Sequence, residues 1–475
     1  MARAHEAGAL HADVSQPAPH WLATPADPDA LLPVLWPRTV HRGEDGALVA
    51  GGVDVRDLAA EHGTPAYVLD EEDFRARARA YRDAFSGAFA AFPGVDVFYA
   101  AKAFVCSDVV RWVQADGLNL DVCTGGELAV ALAAGFPAER IAFHGNNKST
   151  REIVRALEAG VGRIVLDSFE EIARVAFLAD ERGLRAGVLV RVTVGVEAHT
   201  HEYIATAHED QKFGFSLAGG QAAEAVRRVL ALDSLELLGL HSHIGSQIFD
   251  TDGFEVAARR VVGLLADIRD EHGVQLPELD LGGGFGIAYT SQDDPADPAV
   301  LAKGLSAIVE RECSTHDLAL PRIAIEPGRA IAGPAAFTLY EVGTVKPVEL
   351  SGGQVRTYVS VDGGMSDNIR TALYDAQYSC ALASRTSGAQ PTLVRVVGKH
   401  CESGDIVVPD EFLPADLAPG DLIAVPATGA YCRSMASNYN HVPRPPVVAV
   451  RDGRSRVLVR RETEDDLLRL DAGLS

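Results

Sequence analysis

The feature that most constrains the fold is a count of eight. Between residues 97 and 328 of the 475-residue chain, eight short apolar stretches each end in a polar residue or a glycine. They are VFYAAK (97–102), LNLDVC (118–123), IAFHG (141–145), RIVLDS (163–168), VLVRV (188–192), LGLHSHIG (238–245), ELDLGGG (278–284) and RIAIEPG (322–328). Unbroken apolar runs of this length suit strands buried on both faces. Between them lie amphipathic segments such as STREIVRALEAG and SFEEIARVAFLADERG, which open on Ser and close at Gly as capped helices do. An open doubly wound sheet has the same alternation, but eight β–α units are the number that closes a (β/α)8 barrel, and a barrel is the fold expected.

The texture changes on either side. Residues 1–45, rich in Pro, Ala and His, read as an N-terminal arm. Residues 46–66 read as the N-terminal part of a β domain, 67–334 as the barrel, and 335–475 as a C-terminal β domain with a short closing helix at ETEDDLLRL. The second domain is expected to be a β-sandwich or β-barrel completed by N-terminal strands.

Charge and cysteine usage narrow the partners. With 66 acidic against 43 basic side chains the net charge is -23, which argues against nucleic acid or an anionic membrane surface as a partner. No apolar run reaches the roughly 18 residues of a membrane span, and the N-terminus lacks the apolar core of a signal peptide. Six scattered cysteines with no CxxC pair argue against a disulfide framework or structural zinc and for a reducing cytoplasm.

In such barrels the chemistry sits at the C-terminal ends of the strands. Those ends carry Lys102, Asp121, His144, Arg191, His241, His243, Gly282 to Gly284 and Glu326 to Arg329. A lysine at a strand end is ordinarily a solvated surface group; the sharper reading is a partly desolvated amine that condenses with a carbonyl. The glycine run GGGFG (282–286) does not match a dinucleotide fingerprint. It follows the seventh strand, where barrels commonly hold a phosphate on backbone N–H groups. A phosphate cradle beside a strand-end lysine suggests pyridoxal 5′-phosphate (PLP), with Glu326 against the pyridine nitrogen. The pair His199 and His201 in EAHTHEY reads as loop residues rather than metal ligands, so no metal is expected.

Across roughly residues 50–465 the chain resembles the diaminopimelate decarboxylases, PLP enzymes of the alanine-racemase-like class, in FYAAKAF, LDVCTGGEL, FHGNNKS, HSHIGSQ, LGGGFGIAY, EPGRA, VDGGMSDNIRTALYDA, GKHCESGDIV and GAYCRSMASNYN. The resemblance implies that Lys102 carries PLP and that Cys401 donates the proton. It implies cofactor contacts from Asp121, His243, Ser246, Gly283, Gly284, Glu326, Gly328, Arg329 and Tyr431, with Arg191 in support. Substrate contacts are expected from Arg329, Arg370, Tyr374, Glu402 and Tyr431, in a homodimer whose site takes HCESGD from the partner chain. The family usually reads Pro after DNIR, where this chain has Thr371.

The implied reaction is decarboxylation of meso-2,6-diaminopimelate to L-lysine and CO2, the last step of lysine biosynthesis by that pathway. Arg370 suits the distal carboxylate and Glu402 the distal ammonium, whereas ornithine would bring an ammonium towards Arg370. Arg329 lies near enough to the phosphate loop in sequence to serve either group. A decarboxylase of another basic amino acid, a racemase and a non-enzymatic PLP carrier are the alternatives. Racemases retain the carboxylate, and the carrier reading leaves Cys401 and Tyr431 without a role.

Overall fold

A computed structural model describes residues 18–195, 212–349 and 355–474. The described chain divides into two compact units. One contains residues 75–286 and 295–331; the other contains the residues up to 74, 287–294 and those from 332 onward.

The first unit is the barrel. Its strands are β1 (Val95–Ala100), β2 (Asn119–Val122), β3 (Ile141–Phe143), β4 (Arg163–Leu166), β5 (Ala186–Thr193), β6 (Leu235–Ser242), β7 (Glu278–Asp280) and β8 (Arg322–Ile325). Each pairs in parallel with the next, and β8 pairs with β1 to close the ring. All eight strands fall within or against the apolar stretches of the sequence. The capping signals also act as their chemistry requires. The Ser149 hydroxyl accepts from Glu152 N–H while Glu152 returns to the Ser149 backbone, and Gly160 ends that helix at φ 74°. Phe98, Ala142 and Ala324 form a packed cluster of buried residues.

At the N-terminal ends of the strands, charged residues tie separate strands together. Arg163 bonds Glu278 at 2.7 Å and Asp96 at 3.1 Å, and Asp96 also holds Arg322 at 2.7 Å. This leaves the opposite rim for chemistry.

The second unit is a mixed sheet. Its long strand Ala336–Glu349 pairs antiparallel with Val355–Val361, Leu422–Pro426 and Ala66–Asp70. Ala66–Asp70 also pairs in parallel with Val447–Arg451. The sequence boundary at 67 therefore falls inside a strand of this sheet. All five residues of Ala66–Asp70 are buried, so the strand has the same apolar signature as a barrel strand. The core of this unit gathers Trp36, Leu48, Val68, Phe337, Leu339, Ala424 and Val448.

Candidate active site

Each functional side chain on the barrel rim is placed by the end of its strand. Asp121 is in β2, His144 follows β3, Arg191 is in β5, His241 is in β6, and Glu326 follows β8. Lys102 follows β1 in a turn and is exposed rather than partly desolvated, because β1 stops at Ala100. Its charge nevertheless acts on Asp121, Glu127 and His243, which places the amine over the same rim.

The centre of the rim is a buried carboxylate with two imidazoles. Glu326 Oε1 lies 3.0 Å from His144 Nε2 and 3.3 Å from His241 Nε2, and all three groups are about 95% buried or more. Burial alone would protonate Glu326, but the two imidazoles outweigh it and hold the carboxyl well below its usual range. Asp121 and Asp280 move the other way. Burial, and next the Glu326 charge, push both well above the usual carboxylate range. Of three buried carboxyls, Glu326 is the one that keeps its charge. Burial lowers His144 to about 4, against the upward pull of the Glu326 charge.

His243 stands beside this group. Burial first, and then the Lys102 charge, hold its pKa well below the usual value. Its Nδ1 accepts from Gly283 N–H at 3.3 Å, so the ring proton sits on Nε2. Asp280, at the end of β7, accepts from Gly282 N–H at 2.8 Å and so steadies the glycine turn. The sequence reading passed over Asp280, although it obeys the strand-end rule that picked out its neighbours.

The glycine run packs too closely for any other residue. Gly284 has φ +102°, and a Cβ there would stand 2.4 Å from the Gly245 carbonyl oxygen. Beside it, Arg329 Nη2 bonds Ser246 Oγ at 2.8 Å. A guanidinium, a hydroxyl and close-packed loop backbone form a donor set suited to a phosphate. Gly328 is buried against Ala100 and Ala103. With the ionised Glu326 and the Lys102 amine, the rim fits PLP at both its charged ends. Arg191 Nη1 lies 3.8 Å from Asp167 and its guanidinium 4.5 Å from the Phe213 ring centre. His199 and His201 lie outside the described residues.

The remaining predicted residues belong to the second unit. Arg370 is buried, with its guanidinium 4.5 Å from the Tyr289 ring centre and 5.5 Å from that of Tyr378. Neither tyrosine was legible as its partner in sequence. Thr371 Oγ1 donates to the Val407 carbonyl at 3.1 Å. Cys401, Glu402 and Tyr374 are exposed. Tyr431 is half-buried and has φ 61°, an uncommon backbone for a tyrosine.

Among known proteins, the family described as "Pyridoxal-dependent decarboxylase, pyridoxal binding domain" matches residues 72–333. The diaminopimelate decarboxylase of Mycobacterium tuberculosis strain H37Rv is 59% identical over 445 residues, covering 93% of this chain and 98% of that protein. That of Bacillus subtilis is 48% identical over 433 residues, covering 91% and 97%. The crystal structure of the M. jannaschii diaminopimelate decarboxylase in complex with L-lysine superposes with a TM-score of 0.84 at 30% identity, covering 92% and 98%. At such identity over nearly the whole of both chains, this chain belongs to the diaminopimelate decarboxylases, within the pyridoxal-dependent decarboxylase family.

Proposed function

We propose that Lys102 and the glycine rim hold PLP while Cys401 returns a proton to the substrate, in the conversion of meso-2,6-diaminopimelate to L-lysine and CO2. The chain is a PLP-dependent decarboxylase acting in lysine biosynthesis. The observation that carries the site assignment is the buried strand-end carboxylate Glu326, held ionised on the same rim as an anion cradle and an amine.

Bound PLP supplies the sink for the electron pair left when the bond from Cα to the carboxylate breaks. The chain's own residues do the rest. Glu326 would supply the negative charge for the pyridine nitrogen. His243, neutral, would lie against the cofactor, and Ser246, Gly283, Gly284, Gly328 and Arg329 would hold its phosphate. Asp121, with Arg191 in support, would steady the cofactor site. Arg370 pairs with the distal carboxylate and Glu402 with the distal ammonium, while Tyr374 and Tyr431 line the substrate. These contacts would orient the substrate for cleavage of the bond from Cα to the carboxylate. Cys401 then delivers the proton to Cα.

The active assembly is a homodimer in which the partner chain supplies Cys401 and Glu402. Their exposure in the second unit supports this reading, because exposed groups of catalytic type are available to another chain. None of the six cysteines is in a disulfide, which suits a cytoplasmic, reducing setting. Among the described residues no helix is long and apolar enough to cross a membrane.

The test is CO2 release by PLP-loaded protein from meso-diaminopimelate, ornithine, lysine and arginine. Diaminopimelate is expected to exceed the others by orders of magnitude, and borohydride reduction followed by peptide mapping should label Lys102. Preferred turnover of ornithine, or a label on Lys148, would overturn the reading. Lys148 is the useful contrast, since its amine is buried and bonded to Glu171 at 3.1 Å and to the carbonyls of Gly145 and Val165 at 2.7 Å.

A further inference from the structure

Cys401 lies on an exposed loop, and a proton donor must be held to within a fraction of an ångström of its target to be effective. Its backbone N–H donates to Asn440 Oδ1 at 3.1 Å. Because that partner is a donor, the Asn440 atom facing it must be the carbonyl oxygen rather than the amide nitrogen. The same oxygen lies 3.3 Å from His400 Nδ1, which must then carry the ring proton. His400 Nε2 is left as an acceptor, and the Ser366 hydroxyl meets it at 2.8 Å. One side-chain oxygen thus orders the residue before the thiol and the thiol's own backbone.

The backbone of Asn440 is specialised for this. It has φ 51° and ψ 26°, and His441 follows at φ 56°, two left-handed residues in succession and neither a glycine. Asn tolerates this region better than most residues, but it remains uncommon, and such conformations persist where the surroundings enforce them. The segment is anchored on both sides. Ser437 N–H donates to the Ser366 carbonyl at 2.9 Å, and Asn438 Nδ2 donates to Glu462 at 2.7 Å. The loop bearing Cys401 is tied independently by Asp405, which accepts from His400 N–H at 2.7 Å and from Met365 N–H at 2.6 Å. A Cβ on Gly364 would stand 2.5 Å from Asp405 Oδ1, so the two loops meet there without a side chain between them.

We infer that Asn440 is a positioning residue for Cys401: its side-chain carbonyl, shared between the Cys401 N–H and His400 Nδ1, fixes where the thiol points. This rests on the proposal that Cys401 is the proton donor.

The test uses full-length holoenzyme with Asn440→Gly, Asn440→Asp and, in parallel, Cys401→Ala. Glycine adopts positive φ freely, so Asn440→Gly removes the carbonyl and keeps the backbone. Asp keeps an acceptor in the same place. Two quantities are read: kcat and KM for meso-diaminopimelate, and the rate of iodoacetamide labelling at Cys401, followed by mass spectrometry. Cys401 is the one exposed thiol, with Cys123 half-buried and the other four buried. Asn440→Gly should lower kcat about 10- to 100-fold, leave KM nearly unchanged and shift the labelling rate several-fold. Asn440→Asp should restore most of both. A wild-type labelling rate in Asn440→Gly overturns the inference whatever kcat does, and so does an Asn440→Asp enzyme as impaired as Asn440→Gly. If Cys401→Ala keeps full turnover, the proton-donor reading fails, and the labelling rates alone decide what Asn440 does.

Discussion

Asp121, Asp280 and Glu326 carry the same functional group at comparable depth, yet their neighbours give them different charge states. Glu326 faces two imidazoles and stays ionised, whereas the two aspartates face its charge and are pushed towards the neutral acid. Arg370 shows the same dependence on surroundings. Its planar cation is caged by Tyr289 and Tyr378, which limits its rotamers before any carboxylate arrives. Losing a charge-assisted hydrogen bond costs about 1.5–3 kcal/mol, or roughly 10- to 150-fold in binding. Arg370→Ala should therefore lower kcat/KM for diaminopimelate by about that factor and leave the PLP absorbance unchanged. The ratio of diaminopimelate to ornithine turnover should fall as well, because the cation that repels ornithine is gone. An unchanged ratio would move the distal carboxylate to Arg329. The sequence showed Arg370 as a candidate through its motif, but not its cage, since Tyr289 and Arg370 lie 81 positions apart.

At the scale of elements, the two ends of the barrel strands do different work. The C-terminal ends carry the proposed site; the N-terminal ends carry the ion network of Asp96, Arg163, Glu278 and Arg322. Arg163 joins β4 to β7 and β1, and its own exposure is 13%. Removing it leaves Glu278 without its nearest cation, and breaking such a largely buried pair costs about 3 kcal/mol. Arg163→Met is expected to lower Tm by several degrees in differential scanning calorimetry while kcat and PLP content stay at wild-type values. A loss of turnover without a loss of stability would show that this end of the barrel takes part in the chemistry. Periodicity revealed the strands, because a strand buried on both faces must be apolar throughout. It could not assign Ala66–Asp70 to its sheet, since burial between two other strands leaves the same trace whichever sheet supplies them.

For the whole molecule, the question is which chains complete a site. If Cys401 comes from the partner, then mixing inactive Lys102→Ala with inactive Cys401→Ala subunits restores part of the activity. Each mixed dimer then holds one site with both residues intact. The measurement is CO2 release after subunit exchange has been verified with differently tagged chains. No recovery would place Lys102 and Cys401 in the same chain.

The sequence by itself determined the barrel, the strand-end residues and the family. Each of these is written locally: eight apolar runs, the group that follows each run, and short motifs whose order along the chain carries the resemblance. Only the tertiary structure decided which carboxyl keeps its charge, which aromatic rings hold Arg370 and which oxygen holds the Cys401 backbone. Those answers depend on distances between residues far apart in the chain, such as Glu326 to His144 or Asn440 to Cys401. Charge state and hydrogen-bond geometry follow from what surrounds a group in space, and a linear pattern does not record that.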